Sequence, residues 1–378
     1  VIEEPSFTIG VEEEYMLVDR ETRELINEVP DSLLSECENL LGERVAPEFL
    51  QCQIEIGTPI CNSVAEVRES IRELRGTVSS VAQKHGLALL AVSTHPFAIE
   101  GRQSTTRRER YERLENNLQQ VVRRLMISGM HVHIGIEDNN LRIDLMGQIT
   151  YMLPHFLALS TSSPFWHSAN SGLKSYRMSV WDEMPRTGLP EIFDSFAEYR
   201  RHVDLLVDAG IIDDGSMLWW DIRPSERFQT LEMRISDVCT RMEDALCIVA
   251  FYRSWLRMLY RLRTNNQRWR RYRNVLLEEN RWRAQRYGID EGLIDFGRGE
   301  IVEWSELVEE MLELVMEDAE HFDCVDEILR ARTIISEGTS AHRQLQAYEQ
   351  AVAAGQDNRA ALEQVVDHLI NETLEGVN

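Results

Sequence analysis

Glu12 and Glu14 stand two residues apart in the segment Gly10-Val11-Glu12-Glu13-Glu14-Tyr15. On an extended strand, positions i and i+2 share a face. Two carboxylates so placed oppose joint ionisation unless a cation lies between them, so the pair points to a divalent ion. Four more alternating segments repeat the pattern. Gln51, Gln53 and Glu55 oppose Leu50, Cys52, Ile54 and Ile56, while His131 and His133 oppose Met130, Val132, Ile134 and Ile136. Asp221 and Arg223 oppose Leu218, Trp220 and Ile222, and Glu232 and Arg234 oppose Leu231, Met233 and Ile235. A solvated sheet face explains any one of these. Taken together, the restriction to Glu, His, Gln, Asp and Arg points to the handling of metals and phosphates. Hard oxygen ligands suit magnesium or manganese, with Glu12, Glu14, Glu55 and Glu232 as candidates and His131 as a nitrogen ligand or neutral donor. Arg234 shares a face with Glu232 and suits a phosphoryl group in transfer. No phosphate loop of the type G-x-x-x-x-G-K-[ST] and no G-x-G-x-x-G after a strand occurs, so metals and arginines on the sheet must hold the phosphates.

These side chains need a sheet to align them. Alternation predicts strands over 7–18, 49–57, 87–93, 129–136, 218–223 and 230–236. In the first of these Glu13 is an exception, a carboxylate on the apolar side. Ser63, with Glu66 three residues on, predicts the N-terminus of a helix running to Gly86. Beyond residue 240 the periodicity is helical, with no convincing strand. The expected class is α+β: a mostly antiparallel sheet of about six strands with helices on its apolar face. The expected organisation is one domain over 1–378 with a helical C-terminal third.

Composition excludes several functions. A formal charge of −24 argues against a nucleic-acid partner. No apolar run is long enough to cross a membrane, and the N-terminal residues lack the marks of a secretory signal, so a cytoplasmic setting is expected. The six cysteines form no C-x-x-C pair and read as reduced, buried thiols. Residues 253–286 hold eleven arginines against Glu278 and Glu279, a local charge of +9. Interleaved aromatics give this stretch the look of a nucleic-acid-binding helix, yet the remaining −33 opposes approach to a polyanion. A subunit interface in a homo-oligomer, or the border of a nucleotide site, fits better.

Longer motifs carry a family resemblance. Gly10-Val-Glu-Glu-Glu-Tyr15, Gln53-Ile-Glu-Ile-Gly-Thr-Pro59, Ser93-Thr-His-Pro-Phe97, Gly129-Met-His-Val-His-Ile-Gly135 and Thr230-Leu-Glu-Met-Arg234 resemble the type 2 glutamate-cysteine ligases, in particular the bacterial YbdK-type carboxylate-amine ligases. Ala169-Asn-Ser-Gly172, Ser175-Tyr-Arg177, Pro185-Arg-Thr-Gly188, Trp220-Asp-Ile-Arg-Pro224 and Glu279-Asn-Arg-Trp-Arg-Ala284 extend the match over about residues 7 to 290. The resemblance implies a glutamine synthetase-like fold, related to that of the guanidino kinases, with a funnel for metals, ATP and glutamate. It implies metal roles for Glu12, Glu14, Glu55, His131 and Glu232, and a place near the nucleotide phosphates for His133 and Arg234. Asn280 and Arg283 would border the nucleotide, and Arg223 would join Arg234 and His133 in catalysis. In the loop 165–190, Asn170, Tyr176, Arg177 and Arg186 become substrate-binding candidates, with Arg177 or Arg186 clamping an α-carboxylate. The implied activity is that of a weak or true glutamate-cysteine ligase forming a γ-glutamyl amide through an acyl phosphate. Two alternatives stay open: an ATP phosphotransferase of guanidino kinase type, and a γ-glutamyl ligase whose amine is not cysteine.

Overall fold

The computed structural model describes residues 3–106 and 118–377. Its main sheet has seven strands, all paired antiparallel: β1 (Ile9–Asp19), β2 (Val45–Pro47), β3 (Gln53–Gly57), β4 (Leu87–Leu90), β5 (Met130–Gly135), β8 (Ile222–Pro224) and β9 (Thr230–Met233). Their order is β2-β3-β1-β5-β9-β8, with β4 paired to the far end of β1. Register aligns the polar residues. Glu14 faces Glu55 across β1 and β3, Glu12 faces His131 across β1 and β5, and His133 faces Glu232, which faces Arg223 in turn. A slip of one residue would turn the whole set into the core.

That register is fixed from behind. Val11, Val132, Ile134, Leu231 and Met233 are fully buried in one apolar cluster with residues of the helices Asn139–Ile149 and Met242–Thr264. Each such side chain contributes on the order of 2 kcal/mol. The helix Val64–Lys84 starts as expected, with Ser63 Oγ accepting from Glu66 N at 3.2 Å, and it packs on the same side.

Glu13, the carboxylate on the apolar side, is explained here. It is completely buried against Arg75, whose Nη2 and Nε donate to its two oxygens at 2.8 and 3.1 Å, and the Tyr15 hydroxyl also donates to it. Arg75 spends its remaining donors on the carbonyls of Thr240 at 2.6 Å and Cys239 at 2.9 Å. One ion pair thereby ties a helix, the central strand and the chain leaving the sheet.

The α+β, mostly antiparallel expectation holds, but several elements differ from the pattern. The segment 49–57 is strand only from Gln53, and Val45–Pro47 adds a strand that alternation missed. Of 218–223 only the end is strand, because the chain turns through Gly215–Met217 just before it. The loop 165–190 contains a small hairpin, β6 (Phe165–Trp166) with β7 (Ala169–Asn170), and the helix Tyr176–Trp181. The region beyond 240 is not purely helical: β10 (Leu293–Asp295) and β11 (Glu300–Val302) form a second hairpin. All six cysteines are buried and free, and among the described residues no helix is long and apolar enough to cross a membrane.

Seven of the eleven arginines in the arginine-rich stretch pair with carboxylates of the same chain. Arg257 and Arg261 pair with Asp318, Arg263 and Arg268 with Asp144, Arg270 with Asp295 and Glu310, Arg281 with Asp182 and Asp221, and Arg283 with Glu291. Arg253 and Arg286 donate to backbone carbonyls. Its charge balances acidic residues that are distant in sequence.

Removing one partner of a buried ion pair leaves the other charge stranded, at a cost of about 3–5 kcal/mol. Arg75→Ala should therefore lower the unfolding free energy by about that amount in urea denaturation, while the double substitution Glu13→Leu with Arg75→Met recovers most of it. Single and double variants of equal stability would show that the pair does not tie these elements together.

Candidate active site

The polar face of the sheet floors a cleft of about 440 Å³. Two groups of metal-compatible side chains lie in it, and within each group the donor atoms sit within 4.8 Å of one another. One is Glu12, His131 and Glu232; the other is Glu14, Glu48 and Glu55. Glu12 and Glu14 thus serve separate groups, rather than flanking one cation as their spacing alone implied.

The first group is already compensated by the protein. Arg223 holds Glu232 with both Nε at 2.9 Å and Nη2 at 3.1 Å, and Arg234 donates to the same carboxylate. Burial opposes charge on Glu232, but Arg234 and Arg223 hold its carboxyl far below the usual range. His131 Nδ1 lies 3.1 Å from Glu12 Oε2. Glu12 likewise overcomes burial through His131 and His133 and stays well below the ordinary carboxylate value.

The second group is not compensated. Burial, and then the neighbouring charge of Glu48, pushes Glu14 up to about 8, although Gly129 N donates to its Oε2 at 2.7 Å. Burial, with Glu48, Glu12 and Glu14 adding to it, raises Glu55 well above the normal range. Three clustered carboxylates that cannot all ionise unaided are a donor set suited to a hard divalent cation.

The two histidines, alike in sequence, are shifted in opposite directions. Burial and Arg234 push His131 down to about 4, leaving it neutral. For His133 burial works the same way, but Glu12 and Glu232 outweigh it and raise the imidazole above its ordinary value. Its Nδ1 meets Thr230 Oγ1 at 2.9 Å. Its Nε2 lies 3.6 Å from Glu12 Oε1, near enough for attraction and too far for a hydrogen bond. This Nε2 and Arg234 Nε are buried with no hydrogen-bond partner among the described residues. Two unspent donors beside the carboxylates suit an anionic ligand.

Arg177 lines the same cleft. Its guanidinium is spent largely on backbone, with Nη2 to Arg234 O at 3.0 Å and Nη1 to Ile235 O at 3.1 Å, so it braces the chain that carries Arg234. Gly129 makes room for it, since a Cβ there would stand 2.5 Å from Arg177 Nη2. Arg177 and Arg234 both lie over the ring of Trp181, at 5.9 and 5.7 Å from its centroid. Arg186 lies behind the wall, its Nε donating to Met217 O at 3.0 Å and its guanidinium 5.0 Å from the Trp219 ring centroid. Asn170 is exposed on β7, where its Oδ1 accepts from Gly172 N, and Tyr176 stacks on Trp166. Asn280 and Arg283 are set apart from the cleft. Asn280 exchanges hydrogen bonds with Ile294 at 2.8 and 2.9 Å, and Arg283 donates to Gly292 O and Glu291, so both support the β10–β11 hairpin. Glu48 was missed by the sequence reading because it sits in the turn between β2 and β3, outside any alternating run.

Comparison with known proteins shows the family and the fold. The family profile described as "Glutamate-cysteine ligase family 2 (GCS2)" matches residues 8–368. A protein of Rhodospirillum rubrum named "Putative glutamate-cysteine ligase 2" is 56% identical over 375 residues, covering 98% of this chain and 96% of the relative. One of the same name from Chloroflexus aggregans is 42% identical over 372 residues, covering 98% and 93%. Among solved structures, a bifunctional glutathione synthetase from Pasteurella multocida superimposes with a TM-score of 0.70 at 15% identity, over 97% of this chain. This chain spans about half of that protein's length, 53%. A glutamate-cysteine ligase from Francisella tularensis, solved in complex with AMP, gives a TM-score of 0.63 at 12% identity and covers 100% of this chain and 94% of its own. The fold is the glutamine synthetase-like one, and with this match over nearly its whole length the chain belongs to glutamate-cysteine ligase family 2 and is an ATP-dependent ligase.

Proposed function

We propose that this ligase joins the γ-carboxylate of glutamate, or a similar carboxylate, to an amine such as cysteine through an acyl phosphate. The observation that carries the reading is the meeting, in one cleft, of a cluster of mutually repelling carboxylates with two buried nitrogens, His133 Nε2 and Arg234 Nε, that lack hydrogen-bond partners among the described residues. Glu14, Glu48 and Glu55, together with Glu12, His131 and Glu232, would hold magnesium or manganese, which when bound supplies charge neutralisation for the nucleotide phosphates.

The chain's own residues do the rest. Arg234 is fixed by Glu232, by Trp181 beneath it and by Arg177 on its backbone, and presents Nε to the phosphoryl oxygens. His133, whose pKa is raised by Glu12 and Glu232, would present Nε2 there as a second donor. A substrate carboxylate oxygen attacks the γ-phosphorus, and the bond to ADP breaks. The amine then attacks the acyl carbon, inorganic phosphate leaves with the electrons of the C–O bond, and the proton lost from the amine nitrogen goes to the departing phosphate. Charge on the transferring group is met by groups already oriented, so the protein reorganises little during the step. Arg223 acts through Glu232, holding the carboxylate that aims Arg234. The use of ATP fits a cytoplasmic setting.

Phosphate release should need both the carboxylate and the amine, and hydroxylamine should replace the amine by trapping the acyl phosphate as a hydroxamate. A stable phosphorylated acceptor with no free phosphate would instead identify a phosphotransferase.

The carboxylate group also predicts a pH-dependent effect of metal. Glu14 and Glu55 keep their protons in the metal-free fold above the ordinary value of 4.5 at which they lose them once unfolded. Their contribution to stability is therefore full below that value and is lost as pH rises through the folded-state values, about 8 for Glu14. Magnesium competes with those protons, so its stabilisation, about 2.7 kcal/mol at a hundred times its dissociation constant, should be small near about pH 5 and full above about pH 8. Thermal unfolding of the wild type and of Glu55→Gln, with and without magnesium, tests this. A magnesium shift that is independent of pH, or that survives unchanged in Glu55→Gln, would contradict the assignment.

A further inference from the structure

The turn joining β8 to β9 carries Arg227 and Phe228 to the mouth of the cleft. Its shape is built, not loose. Ser225 N donates to Thr230 O at 3.0 Å, Phe228 N donates to Ser225 Oγ at 3.2 Å, and Glu226 is held by Arg200 at 2.9 Å. The turn nevertheless holds an aromatic ring in water, with Phe228 52% exposed. Among the described residues it is the one exposed large apolar side chain that also lines the cleft. The others are scattered over helices, loops and strand β11 elsewhere, as is ordinary on a protein surface.

The surroundings of the ring are specific. His133 stands perpendicular to it, with centroids 6.2 Å apart and an interplanar angle of 89°. The Arg227 guanidinium lies 5.6 Å from its centroid. His133 is the residue whose free Nε2 faces the carboxylate floor. The ring therefore stands one side chain away from where an anionic group would be held, on the solvent side.

We propose that Phe228 is the stacking platform for the base of the nucleotide, with Arg227 beside it supplying a cation–π contact to the same π-system. The inference rests on reading the cleft as the nucleotide site and adds which end of the ligand points outward: phosphates inward at His133 and Arg234, base outward over Phe228. Stacking suits the position because every base offers a π-face to an aromatic ring without needing hydrogen bonds. An amino-acid substrate of the glutamate type has no such face to offer.

Titration calorimetry with magnesium present, using ADP and separately pyrophosphate as probes, tests the proposal on wild type, Phe228→Ala, Phe228→Leu and Phe228→Tyr. ADP affinity should fall roughly ten-fold in Phe228→Ala and in Phe228→Leu and be retained in Phe228→Tyr, while pyrophosphate binding stays unchanged in all. In steady state the same loss should appear in KM for ATP and not in kcat. Wild-type ADP affinity in Phe228→Ala would overturn the stacking role alone. So would an equal loss for pyrophosphate, or a loss confined to KM for the amine. A wild type that binds neither probe would overturn the nucleotide reading along with it.

Discussion

Like charges crowded on one buried sheet face are the constraint around which this structure is organised. Glu12 and Glu14 lie on β1, Glu55 on β3 and Glu232 on β9 of one sheet, with Glu48 beside them. Desolvation and mutual repulsion both oppose their charge. The protein answers differently at the two ends. Around Glu232 it supplies arginines and a histidine whose pKa is raised, and the carboxylate is held far below the usual range. Around Glu55 it supplies too little, and protons remain. The uncompensated end is the one in which a metal has most to gain.

Holding such a face together demands stability elsewhere. The opposite face of the same strands is closed by aliphatic side chains from two long helices. The buried carboxylate of β1 that points that way, Glu13, is matched by Arg75 so completely that neither is exposed. Glu12, Glu13 and Glu14 are consecutive and identical in type, yet one is buried in an ion pair and two line the cleft. The period of two in a strand makes the division.

That period also explains what could be read from sequence. Every polar position assigned by alternation, from Glu12 to Arg234, lies on the cleft side where its strand is regular. The reading failed where regularity ended. Glu48 lies in a turn, so no parity marks it. The three-residue strands β10 and β11 are too short to show alternation within an arginine-rich helical region. Asn280 and Arg283 lie in a motif that carries the family resemblance, but a motif does not say which way a side chain points, and here they bond Ile294 of β10 and Gly292 just before it. The excess of arginine at 253–286 was visible, whereas its partners, Asp144, Asp182, Asp221 and Asp318 among them, come from distant parts of the chain that only the fold brings near.

The central claim is that carboxylate activation proceeds by direct attack on the γ-phosphorus. The most direct test is to supply glutamate labelled with oxygen-18 in its γ-carboxylate, together with ATP, magnesium and cysteine or another amine, and to analyse the released phosphate by mass. An acyl phosphate that collapses by amine attack on carbon leaves one labelled oxygen in each inorganic phosphate. Phosphate released at the rate of amide formation but free of label would contradict the account.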